Sequence, residues 1–82
     1  MKKFVVAENR KDFVAFCKDM EFRKGEVYYL RHERNLGEGL EKCEVWLTHR
    51  YKIHERWPFI QEALEGIPKV RFLGPGANMR WM

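Results

Sequence analysis

The chain has 82 residues, sixteen of them basic and twelve acidic, for a net charge of +4. That length suits one domain, near the lower limit for folding without disulfides or metals, and 45% hydrophobic residues with 15% aromatics supply a compact core. No stretch approaches the roughly 18 apolar residues of a membrane span, serine is absent, and threonine occurs once, at Thr48. These features argue against a membrane-spanning helix, a serine-nucleophile enzyme and a phosphorylated disordered chain, and the mild charge favours acidic partners only weakly.

In chain order, Phe4-Val5-Val6-Ala7 reads as a buried first strand. The run breaks at Glu8, too early for a targeting segment. Asn9 is placed to cap a helix whose apolar face is Phe13, Phe16, Cys17 and Met20, at i, i+3, i+4 and i+7, broadened by Val14. Arg23-Lys24-Gly25 ends that unit, and residues 26–31 read as a second strand. Two glycines, Gly37 and Gly39, interrupt the segment 32–42, although Leu36 and Leu40 have the spacing of one helical turn.

Residues 43–48 form the third strand, with Val45, Trp46 and Leu47 at its centre. A basic and aromatic connector, 49–57, leads to a second helix that opens at Pro58 and stops at Gly66. Its apolar face is Phe59, Ile60, Ala63, Leu64 and Ile67. Residues 69–73 make a fourth strand, so the domain spans 1–74. Residues 75–82 form a tail whose Met79, Trp81 and Met82 are expected to dock on the domain or on a partner.

The order β-α-β-β-α-β fits two architectures. One is a small Rossmann-like α/β domain with a four-stranded, mainly parallel sheet, in which 32–42 is a short crossover. The other is a ferredoxin-like α+β sandwich, in which 32–42 is a hairpin loop. The Leu36–Leu40 spacing favours the parallel form; the charge alternation around Glu44 favours the sandwich.

The run from Asn35 to Tyr51 places a leucine-glycine turn before an apolar strand that ends in threonine and an aromatic. In this it resembles a segment of small Rossmann-like α/β proteins encoded by bacteriophages. Those look like half of a helicase or NTPase core without its nucleotide loop. The resemblance extends over residues 4–73. It implies a phage origin and a host-cytoplasmic setting, and it carries no activity to particular residues.

If the strands are parallel, their carboxyl ends share one rim. That rim gathers Glu8, Asn9 and Arg10, then Arg31, His32 and Glu33, then Thr48, His49 and Arg50. Guanidinium groups beside a helix N-terminus suit phosphate or carboxylate. In the connector, Arg50, Lys52 and Arg56 interleave with Tyr51 and Trp57, a composition found at protein interfaces and at single-stranded nucleic-acid sites. The candidate binding residues are therefore Arg10, Arg31, His32, His49, Arg50, Tyr51, Lys52, Arg56 and Trp57.

No phosphate-cradling lysine loop is present, and Gly37-Glu38-Gly39 lacks the third glycine of a dinucleotide fingerprint. His32, His49 and His54 have no metal-ligand spacing with Cys17 or Cys43, which read as core thiols of a cytoplasmic protein. His49 with Glu8 or Glu33 could serve as a general base and Cys43 with His49 or His32 as a nucleophile pair, but nothing in the pattern selects either over a surface histidine and a core thiol. The expectation is a non-catalytic accessory module, without metal or cofactor, that binds and modulates a host or phage protein, with counter-defence as one role. The alternative is a nucleic-acid or nucleotide binder that uses the basic rim. An exposed second or fourth strand also offers an edge for a homodimer.

Overall fold

The computed structural model describes residues 2–79. Four strands, β1 (Lys2–Val6), β2 (Tyr28–Tyr29), β3 (Lys42–Leu47) and β4 (Lys69–Leu73), alternate with two helices, α1 (Arg10–Asp19) and α2 (Trp57–Glu65). The sheet order is β2-β1-β3-β4 and every pairing is parallel. The Rossmann-like form is the observed one. β2 and β3 never meet, because β1 lies between them, and this removes the sandwich.

The alternation of side chains along β1 explains the three layers. Val5 and Ala7 face one side, with Phe16, Phe13 and Cys17 of α1 packed against them. Phe4 and Val6 face the other, with Ile60 and Leu64 of α2. β3 repeats the division: Trp46 joins the α1 side, while Val45 and Leu47 join the α2 side. Both central strands are thus covered on both faces, as a parallel sheet requires. The α1 crossover runs from β1 to β2 and the α2 crossover from β3 to β4, in opposite directions across the sheet. Right-handed crossovers then demand helices on opposite faces, as observed.

The ends of α1 follow local chemistry. Asn9 is its N-cap, and its side-chain oxygen accepts the Asp12 N–H at 2.9 Å. The crossover between β2 and β3 contains a single 3-10 turn, Glu33–Leu36, which buries Leu36 against the α2 side.

Two expected apolar faces shrink in the structure. Met20 is the C-cap of α1 and, like Val14, lies exposed. On α2, Trp57, Ile60 and Leu64 turn inward, so Phe59 points away from the sheet and is 51% exposed. Residues 75–79 form another 3-10 turn, Pro75–Met79, whose Gly76 is buried against Thr48 and Tyr51. The expected docking of Met79, Trp81 and Met82 lies outside the described side chains. Among the described residues no helix is long and apolar enough to cross a membrane.

Candidate functional site

Parallel strands send their carboxyl ends to one border. The chain leaves β1 toward one face and β3 toward the other, which opens a switch point between them. In this protein the switch point is tied shut. Asp12 Oδ2 accepts the Glu8 N–H and the Thr48 hydroxyl, both at 2.9 Å. Above them the Arg50 guanidinium grips the Glu8 carboxylate, with Nε–Oε2 at 2.7 Å and Nη2–Oε1 at 3.3 Å.

Open space lies instead on the β2 side. A crevice of about 560 Å³ is lined by Asn9, Arg10, Tyr29, Arg31, His54 and Glu55, among others. A groove of about 670 Å³ shares Arg10, Tyr29 and Arg31 and adds Lys2, Tyr28 and Asn35. Arg10 is the first residue of α1, so its side chain and the helix N-terminus open on the same space.

The arginines of this border divide into two kinds. Arg50 is paired with Glu8, and Arg56 makes a two-pronged pair with Glu33 while lying 4.3 Å from the centre of the Phe59 ring. That Arg56 hydrogen bond holds the Glu33 carboxyl below its ordinary range. Arg10 and Arg31 have no carboxylate within ion-pair distance among the described residues. The Tyr29 phenol lines the same crevice. Burial pushes its pKa up, Glu55 adds to the rise, and Arg31 and Arg10 oppose it.

His54 completes the crevice. It is 4% exposed, and its Nδ1 accepts the Arg56 N–H at 2.9 Å, so the neutral ring carries its proton on Nε2. Nε2 is buried without a hydrogen bond of normal geometry among the described residues. Burial lowers the pKa of the ring, and the Leu30 backbone and Glu55 offset part of that shift.

The structure separates the candidates drawn from sequence. Arg10 and Arg31 line the same crevice and groove. His32 turns away to cap the 3-10 turn after β2: its Nδ1 accepts the Arg34 N–H, and its own N–H reaches Asn35. His49 is exposed, and Arg50 is held by Glu8. Lys52 is exposed, 5.9 Å from the centre of the Tyr51 ring. Tyr51 and Trp57 are 1% and 8% exposed and meet edge to face at 4.8 Å. The connector is thus no continuous basic and aromatic surface, because its two largest rings are core residues.

Tyr29, His54 and Glu55 were not among the sequence candidates. A signal for His54 was available. Tyr51, His54 and Trp57 recur every third residue, the period of the 3-10 turn at Tyr51–Ile53, and all three point inward. Cys17 and Cys43 are free thiols, and burial raises both. No group of three His, Cys, Asp or Glu side chains among the described residues is arranged to hold a metal ion. Compared with known proteins, the chain matches no protein family, no curated protein and no solved structure.

Proposed function

We propose that this protein binds a phosphate-bearing ligand, a nucleotide or a nucleic acid, at the β2 side of its carboxyl-end border. One observation carries the reading. Unlike Arg50 and Arg56, Arg10 and Arg31 lack a carboxylate partner among the described residues, and both line one crevice beside the N-terminus of α1. A guanidinium fork and the positive end of a helix both suit a phosphate oxygen. The protein acts by binding, without turnover, in a reducing cytoplasm that suits its two free thiols.

The test is a titration of isotope-labelled protein with pyrophosphate at low salt, followed by amide chemical shifts. Shifts should concentrate at residues 8–10, 29–31 and 53–55 and vanish in the double variant Arg10→Glu, Arg31→Glu. They should persist in Arg71→Glu, which alters charge on the far strand. Shifts scattered over all basic residues, or none at millimolar pyrophosphate, would overturn the reading.

A second reading is an accessory module of phage type that binds another protein. Its support is the exposed pair of apolar side chains, Ile53 at 56% and Phe59 at 51%, the latter flanked by the Arg56 guanidinium. Loss of a partner on Phe59→Ala, with pyrophosphate shifts absent, would decide for it.

A further inference from the structure

We infer that the groove along the free edge of β2 takes a single-stranded nucleic acid, with Tyr28 as the face on which a base stacks. This rests on the phosphate reading above, since Arg10 and Arg31 line both spaces, and it adds the occupant.

The chemistry of the groove favours that occupant. Its cations are Lys2, Arg10 and Arg31, its aromatic rings include Phe13, Tyr28 and Tyr29, and no carboxylate lines it. The last point decides something in a chain with twelve acidic residues, because the neighbouring crevice does contain Glu8 and Glu55. A ligand that runs along the groove therefore meets cations and π faces, with Val27 and Asn35 between them and no anionic side chain. A nucleic-acid strand offers the complement, anionic phosphates joined to flat bases.

Position supports it as well. β2 pairs only with β1, so its outer side is open. Tyr28 is 56% exposed, and the Phe4 ring lies 6.4 Å from it, tilted. Tyr29 is braced differently, stacked on Phe13 at 5.1 Å. An exposed tyrosine with its ring supported at one side is a platform for a base, and stacking tolerates any base.

The register fixes the reach. Phe4 lies opposite Tyr28, so Lys2 and Arg31 sit at opposite ends of the groove. At about 3.3 Å per residue, five positions put them roughly 17 Å apart along the strand. That length spans a few nucleotides with Tyr28 between the two cations. A duplex keeps its bases stacked inside and would leave Tyr28 unused.

The experiment is fluorescence anisotropy with labelled oligo-dT and oligo-rU at low salt, alongside a labelled duplex and labelled polyglutamate. Single strands should bind more tightly than duplex, and polyglutamate weakest. Tyr28→Ala should weaken single-strand binding about five- to a hundredfold, and Tyr28→Phe should bind as the native chain does. Tyr28→Phe keeps its ring against Phe4 and Tyr28→Ala removes a half-exposed ring at the sheet edge, and the pyrophosphate shifts should survive both.

If Tyr28→Ala binds single strands unchanged while Arg10→Glu with Arg31→Glu abolishes binding, the stacking inference falls and the phosphate reading stands. If single strands and pyrophosphate both fail to bind, the two fall together. Duplex or polyglutamate binding as tightly as oligo-dT would also overturn the inference.

Discussion

The hydroxyl of Thr48 donates to Asp12 Oδ2 at 2.9 Å, joining the residue after β3 to the first turn of α1. The same carboxylate oxygen accepts the Glu8 N–H just after β1. One side chain thus ties three parts of the fold, and it does so where an open α/β sheet would otherwise part. The open crevice and groove lie on the β2 side instead. Asp12→Ala should lower unfolding free energy by about 1–3 kcal/mol, because it leaves a buried hydroxyl and an amide without their acceptor. Thr48→Val, which removes one bond and keeps the shape, should cost about 1 kcal/mol. Urea unfolding with an unchanged slope checks both; a loss for Asp12→Ala no larger than for an exposed carboxylate such as Glu62 would contradict the tie.

Trp57 and Tyr51 make a comparable point about the connector. Their edge-to-face contact lies in the core, so Trp57→Ala should destabilise by about 3–5 kcal/mol, a large part of the stability of so small a domain. Trp57→Phe should retain most of it. Lys52→Ala, on the exposed side of the same turn, should change stability by less than about 0.5 kcal/mol. Thermal unfolding orders the three variants. Equal melting temperatures for Trp57→Ala and Lys52→Ala would return Trp57 to the surface.

The parallel sheet was legible in part: the Leu36–Leu40 spacing points to it and the charge alternation around Glu44 points to the sandwich, and a shared border for the charged ends follows once the strands run parallel. The sequence pattern predicts a second strand over 26–31, whereas β2 covers only Tyr28–Tyr29. The reason is local. Glu26 closes a turn on Arg23, its N–H donating to the Arg23 carbonyl and its carboxylate accepting the Arg23 N–H, both at 3.0 Å. Gly25 makes that turn with φ +82. An edge strand with one neighbour cannot recruit residues already bonded elsewhere. Arg10 and Arg31 were legible as rim residues, but which rim arginines would be neutralised was not. The pairings of Arg50 with Glu8 and of Arg56 with Glu33 join residues 42 and 23 positions apart.

His54 gives the stability a pH dependence. Its ordinary value is 6.5, and burial lowers it in the folded chain. Between those two values the unfolded chain binds more protons than the folded one, so stability rises with pH. The contribution is therefore full above about 6.5 and is lost as pH falls through the folded value. Glu55 and Arg56 act on the ring in opposite senses, so neither reverses the sign alone. His54→Asn keeps an acceptor near the Arg56 N–H and removes the titration. Its unfolding free energy should be lower at neutral pH and flatter between neutral pH and pH 5. A slope as steep as that of the native chain would place the titrating group elsewhere. Glu33 does not confound the measurement, because its lowered pKa moves its effect below its ordinary 4.5.

Gly76 is where the segment after β4 comes closest to the rest of the fold. A Cβ there would lie 2.4 Å from the Thr48 carbonyl oxygen, 2.6 Å from Tyr51 Cδ1 and 2.8 Å from Leu47 Cβ. Two of those neighbours are fixed in the core and the third is backbone, so the 3-10 turn at Pro75–Met79 must lift away to admit it. Gly76→Ala should cost about 1–3 kcal/mol. Gly66, the C-cap of α2, is the control. Its backbone is right-handed helical and its added Cβ would meet only the Ala63 carbonyl oxygen, at 3.4 Å. Gly66→Ala should therefore be neutral or stabilising by up to about 1 kcal/mol, since it restricts the unfolded chain. Amide exchange at Thr48 and Tyr51 separates local lifting from global loss. Faster exchange at these two in Gly76→Ala, with the centres of β1 and β3 protected, is the expected pattern. Unchanged stability would mean that the turn does not pack against Thr48 in solution.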